Sequence, residues 1–140
     1  MATSTKDYNQ EITNHLEFLG YEISEIKSET GHIYTAKHPN KSNLLVRMID
    51  NTTILTTRWG GFDNKALKSK EFFTTINSTN KNAMSKWYYE EDEDDNSITI
   101  VTEADFYDYN KATFGAFVEN LEQEVSTYIQ KFDTFYTGAE

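Results

Sequence analysis

From Asn110 to Phe132, apolar side chains recur every three or four residues: Phe114, Phe117, Val118, Leu121, Val125, Tyr128, Ile129 and Phe132. That spacing draws one continuous apolar stripe down a long amphipathic helix. Asn110 is placed to cap its start, and Phe135 and Tyr136 extend its packing surface. So long a stripe has to be covered, and the rest of the chain supplies the cover as short β-branched and aromatic runs.

Two further segments read as helices. In 7–19, Tyr8, Ile12, Leu16 and Leu19 share a face. Ser4 or Thr5 can cap this helix, Asp7 and Glu11 suit the positive end of its dipole, and Gly20 is placed to end it in a left-handed conformation. In 63–79, Asp63 or Asn64 can cap, and Leu67, Phe72, Phe73 and Ile76 are the apolar residues. Phe72 and Phe73 are successive residues, so on a helix they point about 100° apart. One is expected to pack on the sheet and the other to reach an edge or a second subunit.

Between these helices the period changes to that of strands. Tyr21, Ile23 and Ile26 begin one stretch, and Ile33 and Thr35 lie in a second with Tyr34 on its other face. Pro39–Asn40 marks a turn. Leu44 to Ile49 is a buried-looking strand, Asp50–Asn51 a tight reversal, and Thr52 to Trp59 a β-branched run ended by Gly60–Gly61. The clearest hairpin joins Met84–Tyr89 to Ser97–Thr102. The expected fold is α+β: one domain over residues 1–140, with an antiparallel sheet of five to six strands and three helices mainly on one face.

Charge narrows the function. Lys and Arg total 13 against 23 Asp and Glu, a net charge of -10. An acidic chain repels phosphate backbones, which argues against nucleic acid as partner. Residues 83–140 hold only Lys86, Lys111 and Lys131 against fourteen acidic residues. Six of these are consecutive: Glu90, Glu91, Asp92, Glu93, Asp94 and Asp95. Such a block repels itself and is expected in a solvated loop. With no cysteine, disulfides, thiol nucleophiles and Cys-based zinc sites are excluded. No apolar run approaches the about 20 residues that span a bilayer, and no secretory signal is visible, so a cytoplasmic location without membrane contact is expected.

No catalytic constellation can be named. Asp92, Asp94, Asn96 and Glu103 match positions 1, 3, 5 and 12 of a calcium-binding loop, but Ser97 stands where that loop requires glycine. His15, His32 and His38 form no metal-binding spacing, and the chain has no GxSxG motif and no phosphate loop. No metal, cofactor or enzymatic activity is expected. Trp87, Tyr88 and Tyr89 run straight into the acidic block, the wrong sign for stacking single-stranded nucleic acid.

The second half is familiar as a pattern. Ile76-Asn77-Ser78-Thr79-Asn80 ends a helix; the strand Met84-Ser85-Lys86-Trp87-Tyr88-Tyr89, an acidic turn, the strand Ser97-Ile98-Thr99-Ile100-Val101 and a long amphipathic helix follow. This resembles the YbjN-type domains and, more broadly, the type III secretion chaperone-like fold. The resemblance covers roughly residues 65–132, and residues 1–60 match in order of elements. The acidic hairpin loop is a departure, because members often have a short Asp–Gly turn there. Asn77 and Asn80 look structural, able to satisfy open helix-end carbonyls or to adopt a left-handed turn. The resemblance implies no enzymatic activity; members are thought to act as regulators or as dimeric chaperones that hold a partner segment.

The expected function is therefore non-enzymatic protein binding, regulator- or chaperone-like, with a homodimer as a candidate assembly. Phe72, Phe73, Trp87 and Tyr89 are the candidate apolar contacts, and Glu90, Glu91, Asp92, Glu93, Asp94 and Asp95 would steer a basic partner. One alternative is an acidic immunity- or antitoxin-like inhibitor of a basic protein. A second is a small-ligand-binding protein or enzyme without a recognisable motif.

Overall fold

The computed structural model describes residues 8–26, 31–92, 94 and 96–135. The elements in order are α1 (Asn9–Phe18), β1 (Glu22–Ile26), β2 (His32–Lys37), β3 (Leu44–Ile49), β4 (Thr52–Asp63), α2 (Lys70–Asn82), β5 (Lys86–Asp92), β6 (Ser97–Tyr107) and α3 (Lys111–Tyr128). The strands make a six-stranded antiparallel sheet in the order β1-β2-β3-β4-β6-β5. This is the expected α+β architecture, at the upper end of the expected strand number. By internal contacts the chain divides into two units, Met1–Thr57 with Ala104–Glu122 and Arg58–Glu103 with Gln123–Glu140.

In the first unit, strand alternation sorts the side chains. Tyr34, Val46 and Leu55 lie opposite one another across β2, β3 and β4, and all three are buried. Ala36, Leu44 and Met48 belong to the same inner face. Helix α1 lies over that face: the Tyr34 hydroxyl donates to the Asn9 side chain, and Ile12 and Leu16 are buried. Phe114, Val118 and Leu121 of α3 are buried as well. Asn110 caps α3 as expected, its Oδ1 accepting from the amides of Ala112 at 3.0 Å and Thr113 at 3.2 Å. The proposed caps of α1, Ser4 and Thr5, lie outside the described residues. Asp50 turns the chain between β3 and β4 at a φ of 55°.

The second unit is built around aromatic rings. Trp87 stacks on Trp59 at 5.7 Å between centroids and on Phe132 at 6.0 Å. Phe72 meets Phe132 and Phe135 edge-on at 6.1 and 5.2 Å. Phe72, Trp87 and Phe132 form one buried cluster with Ile98 and Ile100, and Trp59 and Phe135 pack against it half-buried. Fully burying an apolar side chain of this size contributes about 1.5–3 kcal/mol.

Several boundaries differ from the sequence reading; the hairpin arms, read as Met84–Tyr89 and Ser97–Thr102, are Lys86–Asp92 and Ser97–Tyr107. Strand β4 does not stop at Gly60–Gly61 but runs on to Asp63. Glycine in a strand marks a close approach or a local distortion; here it is distortion, because Gly61 takes a φ of +88°, whereas a β-carbon on Gly60 would meet the Thr99 Oγ1 at an ordinary 3.7 Å. The segment 63–79 is not one helix. Asp63 caps a 3₁₀ turn over Asn64–Lys68, Ser69 is extended, and α2 starts at Lys70. Finally, α3 ends at Tyr128, and Ile129–Phe135 continue as 3₁₀.

Candidate functional site

Helix α2 and strand β5 divide the predicted aromatic contacts between core and surface. Phe72 and Trp87 are 0% and 1% exposed, so neither offers an external contact. Their burial is the correction to the sequence reading. Both face the Ile98–Ile100 side of the hairpin, and the stacked rings leave no room for a partner. Phe73 is 42% exposed, as its rotation from Phe72 requires. Tyr89 is half-buried, with its ring 6.1 Å from that of Phe73.

The acidic block is not confined to a loop. Glu90, Glu91 and Asp92 are strand residues, paired with Thr99, Ile98 and Ser97 of β6. Antiparallel pairing with β6 holds this stretch extended, and alternation puts neighbouring carboxylates on opposite faces, which relieves their repulsion. Glu90 ion-pairs with Arg58. Glu91 shares the face of Tyr89. Asp92 accepts from the Asp94 amide at 3.0 Å, so these two shape the tip of the hairpin. Glu93 and Asp95 lie outside the described residues. Glu91, Asp92 and Asp94 are exposed and make no ion pair among the described residues.

The other face of the hairpin carries a neutralised cluster. Lys86 Nζ lies 3.0 Å from a Glu103 carboxylate oxygen, and the Tyr88 hydroxyl donates to Glu103 at 3.2 Å. Burial, and then the Glu103 charge, push the Tyr88 phenol above its usual value. This geometry also separates the residues of the calcium-loop register. Asp92 sits opposite Ser97 near the tip, whereas Glu103 sits opposite Lys86 at the far end of the ladder.

Two polar side chains that hold the edge have roles that spacing could not show. Asn80 bonds the backbone of Trp87 on both sides, a role at the strand edge and not the helix-end role its position suggests. Glu124 accepts from the amides of Met84 and Ser85 at 2.7 and 3.1 Å and from the Ser85 hydroxyl at 2.7 Å. Ser85 Oγ in turn accepts from Trp87 Nε1 and from the Thr102 hydroxyl, both at 3.0 Å. A serine, a glutamate and a tryptophan thus fix the start of β5. The Ser85 oxygen is buried and fully engaged, which suits a structural part and not a nucleophile.

The histidines are spread over the first unit. His32 lies 3.9 Å from Glu25 and stacks on Tyr34. His38 packs edge-on against Tyr21 at 5.0 Å. His15 meets the Tyr109 hydroxyl at 2.8 Å.

No protein-family model matches the chain, and no curated protein matches it significantly. Solved structures do. YbjN from E. coli, provisionally assigned as a transcription regulator, superposes with a TM-score of 0.67 at 14% identity, over 95% of this chain and 96% of that one. The fold is YbjN-type. An uncharacterized protein from Methanothermobacter thermautotrophicus superposes with a TM-score of 0.70 at 9% identity, over 92% of this chain and 99% of its own. The YbjN-type fold therefore extends over nearly the whole chain and not only over residues 65–132. Among the described residues no helix is long and apolar enough to cross a membrane.

Proposed function

We propose that the chain is a non-enzymatic protein-binding module, of regulator or chaperone type, and that it engages a basic partner along the α2–β5 edge. The observation that carries this reading is the grouping of Phe73, Tyr89 and Glu91, with Asp92 and Asp94 at the adjoining tip. Exposed Phe73 and half-buried Tyr89 give apolar contact area, and the carboxylates beside them select positive charge. The provisional assignment of YbjN as a regulator agrees with a binding role. A net charge of -10 disfavours direct contact with a phosphate backbone, so the regulator reading favours action through a protein.

The test is affinity capture from native lysate at low and high salt, comparing wild type with Phe73→Ser and with a Glu91→Gln/Asp92→Asn/Asp94→Asn variant. The expected result is a stoichiometric basic protein held by wild type, released by salt and lost from both variants. Scattering mass then separates a dimer carrying a segment from a 1:1 complex. Equal capture by wild type and both variants would overturn the reading.

A further inference from the structure

Helix α1 carries a second set of side chains beside its apolar stripe. Glu11, Asn14, His15 and Phe18 stand at i, i+3, i+4 and i+7, so they line one face. That face forms one wall of a cleft of about 830 Å³, and Tyr109, Lys111 and Ala112 at the start of α3 form the other. The volume falls within the range of small-molecule sites, about 300–1,000 Å³.

The walls have a definite chemistry. Glu11 brings a negative charge from α1 and Lys111 a positive one from α3, and neither makes an ion pair among the described residues. Between them, His15 Nδ1 and the Tyr109 hydroxyl bond to each other at 2.8 Å. Burial, reinforced by the Lys111 charge, lowers His15, and burial with Glu11 raises Tyr109, so this part of the wall is uncharged near neutral pH. Gly115 makes room for the imidazole: a β-carbon there would sit 3.3 Å from His15 Nε2. Phe18, at 86% exposure, holds a phenyl ring at the cleft.

We propose that this cleft binds a small zwitterion with an apolar or aromatic side chain, the chemistry of an α-amino acid. Lys111 takes the carboxylate, with the Asn14 Nδ2 as a second donor, and Glu11 takes the ammonium; the Asn14 Oδ1 already accepts from Gln10 Nε2 at 2.8 Å. Tyr109 and Ala112 face the apolar part, and Phe18 stands at the rim beside it. A simple anion is opposed by Glu11 and a simple cation by Lys111, whereas a ligand carrying both charges is attracted by both walls. The site shares no residue with the α2–β5 edge, so either reading can fail alone.

The experiment is an NMR titration of the whole chain that follows the His15 ring resonances. The probes are L-phenylalanine, benzoate, which carries only the anion, and phenethylamine, which carries only the cation. Saturable shifts of His15 with L-phenylalanine at millimolar concentration are expected, with weaker binding of both half-ligands. Lys111→Gln and Glu11→Gln are each expected to weaken L-phenylalanine by roughly tenfold, the loss of one charge-assisted contact. Absence of a saturable shift would overturn the proposal. So would benzoate or phenethylamine binding as tightly as L-phenylalanine, or unchanged affinity in both variants.

Discussion

The side chain of Asn80 holds the main chain of Trp87 from both sides. Its Nδ2 donates to the Trp87 carbonyl oxygen at 2.7 Å, and its Oδ1 accepts from the Trp87 amide at 2.7 Å. A neighbouring strand would make the same pair of bonds. Strand β5 is an edge strand, and edge strands expose unpaired groups that recruit other chains. Asn80 closes that edge at the residue whose indole anchors the aromatic core.

Asn80→Ala removes both bonds and leaves a backbone donor and acceptor to water at the rim of a packed cluster. A loss of about 1–3 kcal/mol is expected, read from the urea midpoint. Asn80→Asp keeps the acceptor but turns a carboxylate toward the Trp87 carbonyl, so it is expected to destabilise as well. A midpoint equal to wild type for Asn80→Ala would show that water replaces the amide without cost.

The outline of this fold was readable because its helix faces and turns are local matters. The α3 stripe, the Phe72 and Phe73 divergence, Gly20 and the Asp50–Asn51 reversal are each written in a few adjacent residues. What covers a face is not local. Nothing near Asn80 says that its partner is the Trp87 backbone, and nothing near Glu124 points to Ser85. The acidic block was misplaced for the same reason. Its self-repulsion is local, but the pairing with Ser97–Thr99 and the Arg58 counter-charge that accommodate it are not. The Glu11–Asn14–His15–Phe18 spacing was visible, yet only the facing Tyr109 and Lys111 turn it into a cleft.

Gly20 ends α1 with a φ of +101°, and a β-carbon there would lie 2.9 Å from His38 Nε2. Gly20→Ala therefore adds backbone strain and displaces the ring packed on Tyr21. A destabilisation of roughly 1–3 kcal/mol is expected. Gly60 is the control, because its φ is not in the left-handed region and its nearest contact would be ordinary. Gly60→Ala is expected to be near neutral. Chemical denaturation of both variants checks the contrast, and equal losses would contradict it.

His15 ties stability to pH. Burial, then the Lys111 charge, lower its pKa from 6.5. The groups facing it are the Tyr109 hydroxyl and Lys111, with Glu11 one turn away on its own helix. The unfolded chain takes up the proton at higher pH than the folded one. The contribution is therefore complete above the unfolded value of 6.5 and is lost as pH falls through the lower folded pKa. His15→Asn keeps a polar atom near the Nδ1 position and removes the titration. Thermal midpoints measured between about pH 5 and 8 are expected to fall less steeply on the acid side for this variant than for wild type. Parallel curves would show that His15 does not contribute.

The acidic edge makes a kinetic prediction that a simple count of carboxylates would get wrong. Glu90 belongs to the same run as Glu91, but Arg58 already neutralises it, and Glu103 on the same face is matched by Lys86. Among the described residues of the run, the charge left to attract a partner is on Glu91, Asp92 and Asp94. Their exposed side chains add little to folding, so neutralising all three is expected to leave the unfolding midpoint unchanged. Association with a basic partner is expected to slow by roughly tenfold at low salt. Wild type should approach the variant as salt rises, because exposed charges are screened beyond about 8 Å at physiological ionic strength. Glu90→Gln has the opposite logic: it frees Arg58, and the expected change in association rate comes from a new positive charge and not from a lost negative one. Stopped-flow association across a salt series separates these cases. Equal rates for wild type and the triple variant at low salt would remove the steering role from these three carboxylates.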